Sequence, residues 1–254
     1  LLTGVAVANL LLNPDLDVDA IAATYARVGR VRIPGFMVED GLRDLHAQLV
    51  RRHDWRQVMN VADGILELSR DERTAMPSGE AEALYAAMHE RACLGFQYRY
   101  EGLRIFEPGH DATDALDAVA RLMAAAPMLA FLETVVARSG LRFTEGQATA
   151  YAKGDFLTCH DDEAPGRGRI AAFVLGMTPS WRPEWGGLLL FHSDDDSQVT
   201  GHVPRFNTLD LFSVPQRHSV SIVTPSAPGR RLAITGWLSA TSAANTAPTA
   251  ACDA

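Results

Sequence analysis

His160, Asp162, His218 and Arg231 are the residues of this chain whose types and spacing suggest chemistry. Residues two apart on an extended chain project to the same side, so His160 and Asp162 are expected to reach one ion while Asp161 points away. Two imidazoles and one carboxylate can hold a ferrous ion by one face and leave three positions open. A keto acid chelating through its keto oxygen and near carboxylate fills two of these, and O2 fills the third. One carboxylate and two neutral imidazoles leave Fe(II) with net positive charge. A dianionic 2-oxo diacid overcompensates, and an arginine clamped on its far carboxylate restores neutrality. A small residue at position 162 would free a site for halide; the carboxylate there disfavours halogenation.

Each of these residues also has a plain reading. His218 opens a run in which Val220 and Ile222 share its side, so its imidazole is expected inside, where a lone histidine is usually a satisfied core residue. Arg231 shares a side with Ala233, Thr235 and Trp237. A buried guanidinium without an anion is costly, so an inward arginine beside an inward histidine calls for an anion from the protein or from a ligand. Arg230 is a rival for that role; alternation with Thr235 and Trp237 favours Arg231.

The elements that must position these residues divide the chain. Residues 1–140 read as mostly helical. Val38, Leu42, Leu45 and Leu49 recur at helical spacing, as do Leu116, Val119, Ala120 and Met123. Pro127 breaks the second pattern, which resumes from Met128 to Ser139 before Gly140 offers a stop. Short strands are predicted at Arg30–Ile33 and Gly95–Tyr100. From Leu141 to Leu238 short apolar or alternating runs predict strands at Ala171–Met177, Leu188–Phe191, Leu209–Val214, His218–Val223 and Arg231–Leu238, separated by turn-forming residues. Strands at that spacing indicate a sandwich or barrel. Residues 241–254 are small and polar without a core pattern and read as disordered.

Composition narrows the partners. With 254 residues and 47% hydrophobic content the chain can bury one substantial core. The net charge of −8 argues against nucleic acid or an anionic membrane surface as the main partner. Cys93, Cys159 and Cys252 have no paired short spacing, so neither a disulfide framework nor a zinc knuckle is expected, and a cytoplasmic setting fits. The apolar opening Leu1–Leu12 lacks a basic start and reads as an ordinary buried segment rather than a signal-peptide remnant.

Several ordered motifs then agree. They are Tyr151–Asp162 (YAKGDFLTCHDD), Arg169 opening a strand, Trp181 through Trp185-Gly186-Gly187, Pro204–Asn207, Phe212 near His218-Ser219-Val220, and Arg231–Trp237. On these pieces the stretch from Ala148 to Ser239 resembles the 2-oxoglutarate- and Fe(II)-dependent dioxygenases, in particular their prolyl 4-hydroxylase-like branch. Within that branch it is similar to the bacterial and fungal proteins that hydroxylate a ribosomal-protein proline. The resemblance implies an α+β fold: a double-stranded β-helix, or jelly-roll, over 141–240 with the N-terminal helices packed on its outside. It implies His160, Asp162 and His218 as iron ligands, Arg231 as the anchor of the far 2-oxoglutarate carboxylate, and Tyr151 in the co-substrate pocket, with Thr235 near that anchor. The co-substrates implied are 2-oxoglutarate and O2, with ascorbate (vitamin C) as an accessory. The products are succinate, CO2 and a hydroxylated C–H bond, on a prolyl residue of a protein or a proline-like small molecule. One departure stands out. Relatives often carry a tyrosine where Gly176 stands, so the glycine is expected to leave space and one hydroxyl fewer.

Two other classes stay open. A metal- and keto-acid-binding sensor on the same fold predicts iron binding without succinate. A zinc hydrolase could use the same three ligands, yet it leaves Arg231 unexplained and no general base is evident. His192 and His202 read as incidental residues flanking an exposed acidic loop at Asp194–Asp196. Trp181 and Trp185 read either as the border of an entrance or as turn packing. His46, His53 and His89 read as surface or core residues, and Cys159 as facing away from the metal. Oligomeric state is not legible.

Overall fold

Capping and spacing account for most of the helices. Asp17 caps the first of them by accepting from the Ala20 amide, and Gly29 closes it in the left-handed conformation. Ser69 and Glu72 form a reciprocal capping box at the start of the third. Pro127 sits in the first turn of the last helix, where its missing N–H costs nothing, so it separates two helices without distorting either. That helix is closed by Ala137 in the left-handed region rather than by Gly140.

The computed structural model describes residues 9–62, 64–106 and 114–240; the tail predicted to be disordered, Cys252 and residues 1–8 of the apolar opening lie outside them. The chain runs α1 (Val18–Val28), β1 (Arg30–Pro34), α2 (Glu39–Arg51), β2 (Arg56–Val61), β3 (Gly64–Ser69), α3 (Arg70–Ala75), α4 (Ser78–Ala92), β4 (Tyr98–Ile105), α5 (Ala115–Ala124) and α6 (Ala126–Val136). It continues with β5 (Leu141–Tyr151), β6 (Phe156–His160), β7 (Arg169–Gly176), β8 (Leu189–His192), β9 (Val199–His202), β10 (Thr208–Ser213), β11 (His218–Val220) and β12 (Arg231–Ala240).

Every strand pairing is antiparallel. The order β1-β10-β7-β12-β5-β4 forms a long layer that continues into a short one, β6-β11-β8-β9. Strand β4 pairs with both β5 and β6 and so joins the two layers. The curled sheet is the jelly-roll expected. Helices dominate the first 140 residues, and that part also supplies β1 and β4 to the sheet and a hairpin, β2–β3, that hydrogen-bonds onto β4. The hairpin was not legible because its residues alternate only weakly between apolar and polar. The same is true of β9, which pairs with β8, so His192 and His202 lie on the two strands that flank the exposed turn at Asp194–Asp196.

The two sides of the long layer meet different partners. Leu103, Ile105, Ala148, Ala150, Phe173, Leu175, Leu209, Leu211, Leu232 and Ile234 belong to one large core. It also takes in Leu42, Leu45 and Leu49 from α2, with Phe131 and Leu132 from α6. Fully burying one such side chain stabilises by about 1.5–3 kcal/mol, so this layer anchors the fold. The alternate residues Ala172, Val174, Phe212 and Ala233 form a second, smaller cluster with Leu189 and Phe191 of the short layer. The candidate metal ligands His160, Asp162 and His218 share a cavity with Ala172, Val174 and Phe212 of this inner side. Among the described residues no single helix is long and apolar enough to cross a membrane.

Candidate metal centre

His160 ends β6 and His218 begins β11, and the two are direct cross-strand partners. Their rings lie 4.1 Å apart between centroids. Each Nδ1 is held by a carbonyl two residues earlier, His160 by Thr158 at 3.1 Å and His218 by Gln216 at 2.7 Å. A proton on Nδ1 leaves the Nε2 lone pair free for a metal. The Asp162 carboxylate lies between them, with Oδ1 3.4 Å from His160 Nε2 and Oδ2 3.4 Å from His218 Nε2. One ligand atom from each of the three lies within 4.8 Å of the others.

Asp162 reaches this position by a route alternation does not give. Strand β6 stops at His160, and Asp162 has φ of 63°, in the left-handed region. The carboxylate is turned toward the imidazoles by that twist. Strand β11 is also shorter than its sequence run: it ends at Val220, and Ile222, expected inside, is 50% exposed.

Charge states suit metal binding. Burial alone would push the Asp162 carboxyl up, but the His160 hydrogen bond and the charges of His218 and His160 hold it below the usual carboxylate value. Burial, with the neighbouring His160, lowers His218 to about 4. Near neutral pH the centre therefore offers one carboxylate and, at His218, a neutral imidazole, as a metal requires.

Arg231 is 4% exposed and opens β12 opposite Tyr151. Its guanidinium lies over the Tyr151 ring, 5.0 Å from the centroid. Its Nε is sealed from solvent with no hydrogen-bond partner, and among the described residues it makes no salt bridge. Burial pulls its pKa down. Arg230 turns to the other side of the strand, where it pairs with Glu101 at 2.5 Å beside Arg70 and Arg73. The rival is thus satisfied by protein and the inward arginine is not.

A cavity of about 380 Å³ contains His160, Asp162, His218, Arg231, Tyr151 and Thr235. The donor set of two nitrogens and one oxygen suits Fe(II), and the unpaired guanidinium suits a carboxylate across the same cavity. Thr235 lines it with its hydroxyl 3.5 Å from the Gln147 carbonyl. Gly176 corrects an expectation: a Cβ there would stand 2.0 Å from the Arg205 carbonyl oxygen. Backbone, not free space, replaces the tyrosine of relatives. Hydroxyls come instead from β4 and β5. Tyr100 stacks on Tyr151 at 5.1 Å and meets Tyr98 at a tilt, 5.6 Å between centroids, and it accepts from the Gln147 side chain. Burial raises Tyr100 to about 12 and keeps its hydroxyl protonated. The period-two pattern Tyr98, Tyr100 was the signal for these two.

Trp181 and Trp185 do not line the cavity; Trp181 donates to the Gly186 carbonyl and packs edge-on against Trp185, so turn packing is their role. Cys159 faces Arg217.

Residues 146–239 match the family model of the 2OG-Fe(II) oxygenase superfamily. A prolyl 3-hydroxylase, OGFOD1, of Xenopus laevis is 41% identical over 95 residues, covering 34% of this chain and 18% of that protein. The matched stretch thus spans under a fifth of that curated relative. A Burkholderia pseudomallei oxidoreductase of the 2OG-Fe(II) oxygenase family superposes with a TM-score of 0.60 at 14% identity, over 89% of this chain and 92% of that one. A Pseudomonas putida prolyl-4-hydroxylase gives 0.58 at 20% identity, over 89% and 100%. These two likenesses establish the fold. The stretch 146–239 therefore carries a domain of the 2OG-Fe(II) oxygenase superfamily, a class of iron-dependent dioxygenases. The curated relatives and the Pseudomonas putida neighbour are themselves prolyl hydroxylases.

Proposed function

We propose that this chain hydroxylates a prolyl residue within a polypeptide, using Fe(II), 2-oxoglutarate and O2. The observation that carries the co-substrate is Arg231, a buried guanidinium that makes no salt bridge among the described residues and opens onto the same cavity as the His-Asp-His cluster. His160, Asp162 and His218 would hold Fe(II). Arg231 would clamp the far carboxylate of 2-oxoglutarate, with Tyr151 packed on the guanidinium and Thr235 beside it. When bound, the metal and keto acid supply the oxidising chemistry, in which O2 is consumed, succinate and CO2 leave, and a C–H bond becomes C–OH. The chain's own part is orientation and exclusion of water. Phe212, Leu189 and Val220 keep the inner wall dry, while the Nδ1 bonds fix both imidazoles.

Room beyond the metal supports a polypeptide over a free amino acid. A second cleft of about 650 Å³ shares Tyr98, Tyr100, Gln147, Arg169 and Trp237 with the metal cavity. Its lining includes paired charges, Arg56 with Glu67 and Arg52 with Asp114, and the exposed apolar side chains Ile65 and Phe106. A main chain with flanking side chains fits such a surface. The names of the OGFOD1 relatives support proline as the target. The free thiols of Cys93 and Cys159 accord with a cytoplasmic setting.

The test is succinate release by anaerobically iron-loaded protein admitted to air, with ascorbate, across proline-containing peptides and free proline. Fe(II)-dependent succinate that rises with a peptide, which gains one oxygen atom by mass, is expected. Iron binding with no succinate above the Asp162→Ala background would instead favour a sensor.

A further inference from the structure

Arg169 stands where the metal cavity meets the outer cleft and lines both. Its Nη1 donates to the main-chain oxygen of Asp162 at 3.1 Å, and its Nη2 donates to Glu145 Oε1 at 2.6 Å. Its guanidinium carbon lies 3.9 Å from the centre of the Trp237 ring. The side chain is 14% exposed, and its Nε is buried without a partner. Three contacts on three elements therefore fix one guanidinium, and one of them ends on the backbone of the candidate carboxylate ligand.

That backbone needs holding. Asp162 lies beyond the end of β6, where no ladder bond restrains it, and its φ of 63° is a conformation that side-chain-bearing residues avoid. Relaxation toward the extended region would swing the carboxylate out from between the imidazoles. A planar fork can reach two divergent acceptors while lying flat on an indole; an ammonium cannot do all three.

We propose that Arg169 is a positioning residue for the metal centre: it holds the Asp162 carbonyl and so fixes the left-handed turn that aims the carboxylate between His160 and His218. The inference rests on reading those three residues as metal ligands. Arg167 supplies a control on the same strand entry, since it also pairs with Glu145, at 3.1 Å, but makes no bond to Asp162.

The experiment is Co(II) titration of metal-free protein, followed by calorimetry and by the visible absorption of the bound ion. Arg169→Ala is expected to weaken Co(II) about 10- to 100-fold and to alter the absorption, the usual cost of losing a group that orients a ligand. Arg169→Lys, which keeps one donor, should fall between Ala and wild type, and Arg167→Ala should match wild type. If Arg169→Ala does not fold, the Lys variant decides by the same comparison. Co(II) affinity and spectrum unchanged in either Arg169 variant, or weakened equally by Arg167→Ala, overturns the inference. Wild-type protein that takes up no Co(II) overturns the metal-site reading itself, and the inference with it.

Discussion

The outer and inner sides of the long β-layer are built from alternate residues of the same strands, and they answer to opposite demands. Strand β12 shows it most directly. Leu232, Ile234 and Leu238 face the helices and join the large core, while Arg231 and Thr235 line the cavity and Ala233 joins the inner cluster. Strand β10 repeats the division, with Leu209 and Leu211 outward and Asp210 and Phe212 inward. The outer side lowers the free energy of the fold by removing apolar area from water. The inner side gathers a carboxylate, two imidazoles and an unpaired guanidinium, groups that cost energy until a ligand meets them. One side stabilises the protein and the other is held in place by it.

That contrast can be broken from either side. Asp162→Ala should cut succinate formation to background while leaving the melting temperature of metal-free protein close to wild type; succinate at the wild-type rate would remove Asp162 from the metal. Arg231→Ala should raise the 2-oxoglutarate requirement by about 30-fold or more, since a desolvated charge pair is worth about 2–5 kcal/mol. Arg230→Ala should leave that requirement unchanged, because its partner is Glu101. Arg231→Met sharpens the comparison further: it should not lower, and can raise, the stability of co-substrate-free protein, read by urea unfolding. A loss above about 2 kcal/mol there would show that Arg231 is already satisfied by the fold.

On the outer side, Leu45→Ala should cost about 2–5 kcal/mol in urea unfolding and leave Co(II) affinity of the folded protein as it was. The smallest effect is a pH slope. His218 is held at about 4 in the folded chain, against an ordinary value of 6.5. Between those values the unfolded chain binds more protons than the folded one, so metal-free protein gains stability as pH rises through that window and loses it as pH falls. His218→Gln should flatten the slope between pH 4 and 6.5; an unchanged slope would assign it to other groups.

The strands that carry the chemistry were readable because alternation and cross-strand constraints act on a few neighbouring residues. Arg231 over Arg230 followed from the inward parity of Thr235 and Trp237. The helices α2 and α5 followed from Leu42, Leu45 and Leu49 and from Leu116, Val119 and Met123. Other features were illegible. The β2–β3 hairpin has no clear alternation of its own and is a strand pair because β4 offers an edge. His192 flanks an acidic turn in the sequence, and only the fold brings its Nε2 to the buried Ser219 hydroxyl, at 2.8 Å, on the strand that carries His218.

By itself the sequence determined which residues could bind a metal and a keto acid, and which side of each strand they share, since residue type and period-two geometry are local properties. Tertiary structure alone decided that the Asp162 carboxylate reaches the two imidazoles by a left-handed turn, with Arg169 on its carbonyl, rather than by strand parity. It also decided that Arg205 backbone fills the space beside Gly176, and that Glu101 removes Arg230 from contention. Each of those outcomes depends on a group far along the chain coming within a few ångströms, which no local spacing encodes.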